Sequence, residues 1–204
     1  AAGLALWLYS KGETFILVPF IGEVNLGIWR IVLDILAFTA TVNAVNFTDG
    51  LDGLASSTVS VSAITFSFMA FMMEYKGLAL GGIVLTGICM GFLWLNVYPA
   101  RLFMGDTGSL TLGGAIAVMA ILLRLELLII VVGGIFVLEM LSVIIQVISY
   151  KTTGKRVFKM SPIHHHFEKL GYHETTITVR FCLVSMLFAI GGLNLFWVMK
   201  AIGK

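Results

Sequence analysis

Two carboxylates stand three residues apart in the segment NAVNFTDGLDGLA, a spacing that suits binding chemistry. Asp49 and Asp52 lie at a predicted helix start and could face one side, while Gly50 and Gly53 let the backbone approach a ligand closely. Hard oxygen ligands of this kind suit Mg²⁺ shared with a substrate phosphate. Alternatively, Asp52 could cap the helix and Asp49 could form a turn. Amide groups that can donate and accept hydrogen bonds come about one turn earlier, at Asn43 and Asn46.

A third carboxylate, Asp106, lies between two glycines in NVYPARLFMGDTGSL, just ahead of an apolar segment. It could cap the following helix or hold a metal ion at the helix edge. In the same stretch the guanidinium of Arg101 can position phosphate oxygens, and the ring of Phe103 offers a flat face for stacking a base or sugar. Both side chains also suit an ordinary membrane interface.

Three consecutive imidazoles, His164, His165 and His166, follow a proline in SPIHHHFEKLG. The proline, Pro162, predicts an extended or irregular backbone rather than a helix. Neighbouring side chains would then diverge, which makes a single tetrahedral zinc site a poor interpretation. Donation of hydrogen bonds and partial positive charge to a pyrophosphate fits the run better.

Charged and amide side chains also occur inside the apolar segments. Arg30 and Asp34 are four residues apart on one helix face and can pair. Glu139 lies in the middle of an apolar segment with no obvious partner nearby in the sequence, so a functional role and a hydrogen bond between helices are both open. Gln146 follows seven residues later on the same face, near the end of that segment.

The segments that must position these residues are those of an integral membrane protein. Hydrophobic residues make up 59% of the 204, charged residues 12%, and the mean hydropathy is +1.01. This leaves too little polar surface for a soluble globule. The net charge of +2 is too small to indicate nucleic acid, whereas clustered basic residues beside a span suit anionic lipid or an anionic substrate. We therefore predict an all-α polytopic fold, with residues 1–204 in a single transmembrane domain.

A bilayer core takes about 20 apolar residues in a helix, and six segments qualify, with Ala1–Tyr9 as the tail of a further one. The six are Ile28–Val45, Leu54–Met73, Leu78–Val97, Leu110–Leu125, Leu127–Tyr150 and Ile177–Val198. The short apolar stretch Thr14–Leu26 carries Pro and Gly residues and predicts a hairpin on the outer face.

Two spans separate each polar stretch from the next, so all three stretches should meet at one membrane face. They are Asn43–Gly53, Asn96–Ser109 and the His-containing loop 151–175. This inference fails at the His loop if the fourth and fifth spans merge, because little more than Arg124 and Glu126 separates them. Basic residues cluster in the His loop and predict that this face is cytoplasmic, although six others lie opposite: Lys11, Arg30, Lys76, Arg124, Lys200 and Lys204.

Taken together and in this order, the three polar segments resemble those of the phospho-N-acetylmuramoyl-pentapeptide transferases of bacterial peptidoglycan synthesis. The segments are NAVNFTDGLDGLA, NVYPARLFMGDTGSLTLGG and SPIHHHFEKLG. The resemblance runs through the whole chain and covers the second half or so of such an enzyme, whose family members have ten transmembrane helices and form homodimers. It implies Mg²⁺-dependent transfer of phospho-MurNAc-pentapeptide from its UDP carrier to undecaprenyl phosphate in the bacterial cytoplasmic membrane, with release of UMP.

The resemblance also implies roles for individual residues. By similarity, Asp106 is the best candidate Mg²⁺ ligand, and Asp49 would act in catalysis or hold the lipid phosphate. The three imidazoles would belong to the pocket for the diphosphate and sugar. Positions that line the family's uridine pocket match Asp52, Asn96, Phe103 and Gln146, and further candidates for substrate contacts are Asn43, Asn46 and Arg101.

The sequence departs from that family in one respect. The family has a pair of adjacent aspartates and a lysine in its first half, and no Asp-Asp occurs here. We therefore expect an amino-terminal half to be missing and the isolated chain to be inactive. The rival functions are a related transferase that uses another UDP-sugar and, from a different class, a transporter fragment that uses Glu139. An intramembrane zinc protease would need a pattern such as His-Glu-x-x-His, which does not occur in the sequence.

Overall fold

The computed structural model describes residues 1–202, so Lys204 of the charge comparison lies outside the described residues. The chain begins with helix α1 (Ala2–Ser10). It continues into an antiparallel hairpin of strands β1 (Phe15–Val18) and β2 (Gly22–Asn25), in which Ile16 pairs with Val24. The hairpin predicted for residues 14–26 is confirmed.

All the other secondary-structure elements of the described chain are helices. They are α2 (Trp29–Thr48), α3 (Leu54–Met72), α4 (Lys76–Asn96), α5 (Gly105–Leu122), α6 (Leu128–Val132), α7 (Gly134–Thr153), α8 (Ile163–Lys169) and α9 (Glu174–Ile202). Within residues 1–202, six of these helices are long and apolar enough to cross a bilayer, namely α2, α3, α4, α5, α7 and α9. The predicted all-α polytopic fold is confirmed.

The prediction of one continuous helix over Leu127–Tyr150 is wrong, because the chain breaks at Gly133 between α6 and α7. The Gly133 N–H still donates to the Ile129 oxygen at 2.8 Å. A Cβ on Gly133 would lie 2.7 Å from that same oxygen, which is closer than a side chain can come. Hydropathy could not reveal the break, since both sides of it are apolar. A tight turn keeps α5 apart from α6, so the fourth and fifth spans do not merge.

Four helix ends extend further into the polar stretches than the sequence predicted. Helix α2 runs to Thr48 and α7 to Thr153, while α5 already begins at Gly105 and α9 at Glu174. A hydropathy window marks only the apolar core of a span, whereas the helical hydrogen bonds continue into the interface. Much of each predicted polar loop is therefore helical.

Helix α3 lies at the centre of the bundle and packs against α4 and α9. Its small side chains bring α4 close: the Ser67 hydroxyl donates to the Ala79 oxygen at 2.5 Å. A Cβ on Gly82 of α4 would lie 2.6 Å from Ser67 Cβ and 3.1 Å from the Ala63 oxygen. Ser67 of α3 and Gly82 of α4 therefore serve close helix packing, as small residues do in lipid, whereas a Cβ on Gly81, Gly87 or Gly91 would meet nothing within 4 Å.

A buried charge cluster joins the hairpin to the bundle at one end of the molecule. The Arg30 guanidinium is 2% exposed and donates to the Phe15 oxygen at 2.5 Å and the Ile121 oxygen at 3.2 Å. It also lies 3.0 Å from a Glu126 oxygen and 3.6 Å from a carboxylate oxygen of Asp34. The predicted pair of Arg30 and Asp34 is confirmed, and Glu126 is a partner that sequence spacing did not indicate.

The ends of α3 and α9 also lie at this end of the molecule, where the Lys200 ammonium donates to the Met72 oxygen at 2.7 Å. The hairpin, the turn after α5 and this contact therefore share one end. Since the spanning helices alternate in direction, the three polar stretches lie together at the opposite end.

Candidate active site

Two carboxylates lie near each other at the polar end, one just after α2 and one in the first turn of α5. Asp49 follows the last residue of α2 and is half-buried, while Asp106 lies exposed in the first turn of α5. Burial, together with the negative charge of Asp106, raises the pKa of Asp49 to about 6. The two carboxylates are therefore close enough for the charge of one to act on the other.

Asn46 connects these two helices. Its side-chain amide donates to Asp106 Oδ1 at 3.0 Å and to the Ser109 hydroxyl at 2.9 Å. Met104 occupies the N-cap position of α5, so Asp106 does not cap that helix. In the first turn its charge is favoured by the helix dipole, and within residues 1–202 its second oxygen has no hydrogen-bond partner.

Asp52 connects the acidic loop, residues 49–53 between α2 and α3, to both other polar stretches. Its carboxylate accepts a hydrogen bond from the Ala100 N–H at 2.9 Å. Its own N–H donates to a Glu174 carboxylate oxygen at 2.6 Å, and its carbonyl accepts from the Thr178 hydroxyl at 3.2 Å. The alternative that Asp52 caps α3 is wrong, because Gly53, with φ +74°, occupies the N-cap position.

Asn96 lies inside the site rather than on its surface. Its side chain accepts hydrogen bonds from the Gly53 N–H at 3.1 Å and the Ser56 hydroxyl at 3.2 Å. It donates to the Leu102 oxygen at 2.9 Å and is 5% exposed. Asn96 thus ties the start of α3 to the second polar stretch, and its part in uridine binding stays a prediction.

The prediction of a non-helical His run is wrong, because His164, His165 and His166 lie in α8. Pro162 occupies the N-cap position of that helix. A proline restricts the residue before it, here Ser161, whereas its fixed φ suits the start of a helix. The conformational restriction therefore falls on Ser161 and not on the His run that follows the proline.

The three imidazoles have three different partners. His164 is fully buried, and its Nδ1 lies 3.0 Å from Glu139 Oε1. The Nδ1 atom of His165 contacts the Glu168 carboxylate, and His166 Nδ1 accepts a hydrogen bond from the Lys159 N–H at 3.1 Å. Two interpretations of Glu139 were open, and the structure confirms the hydrogen bond between helices. Within residues 1–202, no cluster of three His, Cys, Asp or Glu side chains could hold a metal ion.

Gln146 organises the loop between α7 and α8. Its side-chain oxygen accepts from the N–H groups of Val157 at 3.0 Å and Phe158 at 2.9 Å, and its amide donates to the Phe158 oxygen at 2.9 Å. A cavity of about 450 Å³ opens beside it. The walls of this cavity include the basic residues Lys151 and Arg156, which suits an anionic ligand.

Three predicted site residues lie at the edge of this assembly. Asn43 is exposed, and its side-chain amide donates to the Thr39 oxygen of its own helix at 2.8 Å. Arg101 is also exposed, and Phe103 is 74% exposed. The structure thus leaves these three side chains open to solvent, lipid or a ligand.

The sequence analysis missed residues that hold the site together, above all Glu174, Thr178 and Ser109. Glu174 lies in the first turn of the last spanning helix and within the third polar stretch. That position was the available signal, since an acidic side chain is favoured at a helix N-terminus and can accept hydrogen bonds from backbone N–H groups.

The donor set fits Mg²⁺. This ion is usually held by one or two protein carboxylates together with substrate phosphates and water. Asp49 and Asp106 provide two carboxylates whose mutual repulsion a cation would relieve, and the hydrogen bond from Asn46 orients one of them.

The chain is similar in sequence to known proteins. A family model described as glycosyl transferase family 4 matches residues 1–124. A phospho-N-acetylmuramoyl-pentapeptide-transferase of Clostridium botulinum is 50% identical over 190 residues, which cover 93% of this chain and 59% of the relative. Proteins of the same name from Desulforudis audaxviator and Bacillus thuringiensis are 48% and 50% identical, over 93% of this chain and 59% and 60% of those relatives.

The chain thus spans about three fifths of the length of the curated relatives that it matches. The matched family model covers more than half of the chain and includes the first two of its three polar stretches. With its six apolar helices and the acidic site at one end of them, the chain belongs to glycosyl transferase family 4.

Proposed function

We propose that the intact protein transfers phospho-MurNAc-pentapeptide from UDP-MurNAc-pentapeptide to undecaprenyl phosphate, with release of UMP, and requires Mg²⁺. The observation that carries this proposal is the meeting of Asp49, Asp106 and the His helix at one end of an apolar bundle. The names of relatives with about 50% identity support the same substrates.

In this reaction an oxygen of the lipid phosphate attacks the β-phosphorus of the nucleotide substrate, and the bond to the bridging oxygen of the leaving UMP breaks. When bound, Mg²⁺ would neutralise the diphosphate charge and the charge that develops on UMP. Asp106, oriented by Asn46, would hold the ion, with Asp49 as its second carboxylate or as the acceptor of a proton from the lipid phosphate.

The remaining polar groups would orient the substrates. His165 and His166 lie at the surface of α8, where their ring nitrogens can donate to the diphosphate and sugar. The basic cavity beside Gln146 suits an anionic part of the nucleotide substrate. Exposed Phe103 offers its ring to the uracil base.

We propose that this end lies at the cytoplasmic face of a bacterial inner membrane, because the basic residues of the loop 151–175 favour that side by the positive-inside rule. That orientation gives a soluble UDP-linked substrate direct access from the cytosol, while the lipid phosphate arrives along the bilayer. We also propose that the intact protein forms a homodimer, as the family resemblance implies.

The test is turnover by the intact protein in detergent or in vesicles that contain undecaprenyl phosphate. UMP release and formation of the lipid-linked product should both require Mg²⁺, and both should be lost in Asp106→Asn. UDP-N-acetylglucosamine offered instead should give no product. Product formation from that nucleotide would assign a related transferase, and solute transport that survives Asp106→Asn would assign a transporter.

A further inference from the structure

Glu139 lies in the second turn of α7 and is completely buried. An ionised carboxylate at this depth is costly unless it is paired. Its partner is the equally buried His164, whose Nδ1 lies 3.0 Å from Glu139 Oε1. Twenty-five residues separate the two in sequence, so the pair joins α7 to α8.

The opposite edge of the imidazole faces the acidic loop. A Cβ built on Gly50 would lie 2.2 Å from His164 Nε2, so the ring packs directly against the Gly50 backbone. Gly50 is the immediate neighbour of Asp49. Within residues 1–202, Nε2 is buried and has no hydrogen-bond partner, which leaves Glu139 as the group that orients the ring.

We propose that Glu139 is a positioning residue for the transfer reaction. Its carboxylate accepts the Nδ1–H of His164 and thereby holds the Nε2 edge of the ring against Gly50, which sets the position of Asp49. This proposal rests on the proposed function, since it assigns a role in that reaction.

The hydrogen bond between Glu139 and His164 also determines which ring nitrogen carries the proton. An ionised carboxylate can only accept, so the proton must be on Nδ1. Partners that orient a functional imidazole in this way normally matter to activity although they do not touch the substrate. The acidic loop is then held at two points, at Gly50 by His164 and at Asp52 by Ala100 and Glu174.

A purely structural role for Glu139 makes a different prediction. If the carboxylate served only to join two helices, an apolar side chain of similar size should replace it without loss, since buried ion pairs are often replaceable in that way. Glu139→Leu tests this directly. Glu139→Gln keeps the shape and one acceptor oxygen but removes the charge, and Ser142→Ala removes a buried polar group one turn along the same helix as a matched control.

Two measurements on the intact protein test whether Glu139 positions His164. The first is ¹⁵N NMR of histidine-labelled protein, with the His164 signals assigned by loss in His164→Gln. The wild type should show a protonated Nδ1 with the shift of a hydrogen bond to a carboxylate, and Glu139→Leu should lose that signature. This measurement needs no turnover, so it decides the orientation claim even if the proposed substrates are wrong.

The second measurement separates kcat from KM. We expect kcat to fall about 10- to 100-fold in Glu139→Leu, with an intermediate loss in Glu139→Gln and wild-type values in Ser142→Ala. KM for the nucleotide should change less than about threefold, because the fully buried His164 ring has no surface to offer that substrate. An unchanged His164 spectrum, or a kcat within about twofold of wild type in both Glu139 variants, would overturn the proposal. If Glu139→Leu fails to fold, Glu139→Gln decides alone.

Discussion

The side-chain amide of Asn46 donates a hydrogen bond to Asp106 across 3.0 Å, and this bond ties the last turn of α2 to the first turn of α5. The same amide donates to the Ser109 hydroxyl at 2.9 Å. Asn46 therefore sets the direction of the carboxylate that is best placed to hold Mg²⁺.

Replacing Asn46 with Ala should weaken Mg²⁺ binding without unfolding the protein. Loss of an outer-shell partner typically costs about 10- to 100-fold in metal affinity, so the half-saturating Mg²⁺ concentration for turnover should rise by that factor. Thr111→Ala is the control, since Thr111 is exposed on α5, the helix of Asp106, and bonds only to the Thr107 oxygen of that helix in the described chain. An unchanged Mg²⁺ dependence in Asn46→Ala would contradict this assignment.

Mg²⁺ affinity should also depend on pH through Asp49. Burial and the charge of Asp106 raise the pKa of Asp49 to about 6, so this carboxyl gains a proton as the pH falls through that value. Protons then compete with the metal, and the half-saturating Mg²⁺ concentration should rise roughly fivefold between pH 6 and pH 5. Isothermal titration in Asp49→Asn should show a shallower dependence, and an equal slope in both proteins would rule out Asp49 as the titrating group.

Gly50→Ala should destabilise the protein because the added methyl meets the His164 ring at 2.2 Å. Overpacking of this kind costs about 1–3 kcal/mol, which thermal unfolding would detect. Removing the ring should relieve the clash, so Gly50→Ala in a His164→Ala background should cost much less than it does alone. Additive losses in the two single variants and the double variant would show that the residues are not in contact.

Two adjacent glycines of α4 provide a matched test of helix packing. A Cβ on Gly82 would lie 2.6 Å from both Ser67 Cβ and Met119 Cε, whereas a Cβ on Gly81 meets nothing within 4 Å. We expect Gly82→Ala to lower stability by about 1–3 kcal/mol and Gly81→Ala to leave it unchanged or raise it by up to about 1 kcal/mol. Equal melting temperatures for the two variants would contradict the close approach of α3 and α4.

At the other end of the bundle, Glu126 should make stability depend on pH. Burial, which outweighs the attraction of Arg30, raises the pKa of Glu126 from 4.5 to about 8. The folded state thus binds a proton that the unfolded state releases, so this contribution is full below pH 4.5 and is lost as the pH rises through about 8. Glu126→Gln mimics the protonated form, and its melting temperature should fall less than that of the wild type between pH 5 and pH 8.

The sequence predicted the parts of this fold that depend on hydropathy and parity. It located the spans, the hairpin and the shared end of the three polar stretches, because each is a property of a whole segment. The break at Gly133 and the helical His run escaped prediction, since they depend on backbone geometry within segments of uniform character.

The bracing contacts escaped prediction for another reason, which is distance along the chain. Asp52 bonds to Glu174, 122 residues away, and Asn46 bonds to Asp106, 60 residues away. Spacing arguments relate residues within a few turns of one helix and cannot pair such partners. The candidate residues were recognisable by their type. Only the tertiary structure shows which of them hydrogen-bond to other parts of the protein and which are open to a ligand.

The contacts of Asp52 with Glu174 and Thr178 have a consequence for biogenesis. Because these partners belong to the last spanning helix, the acidic loop leaves the ribosome long before the groups that fasten it. Maturation of the site must therefore wait until that final helix has been inserted and docked. Chains that end before residue 174 would contain the acidic side chains of the site but lack the hydrogen bonds that hold Asp52 in place.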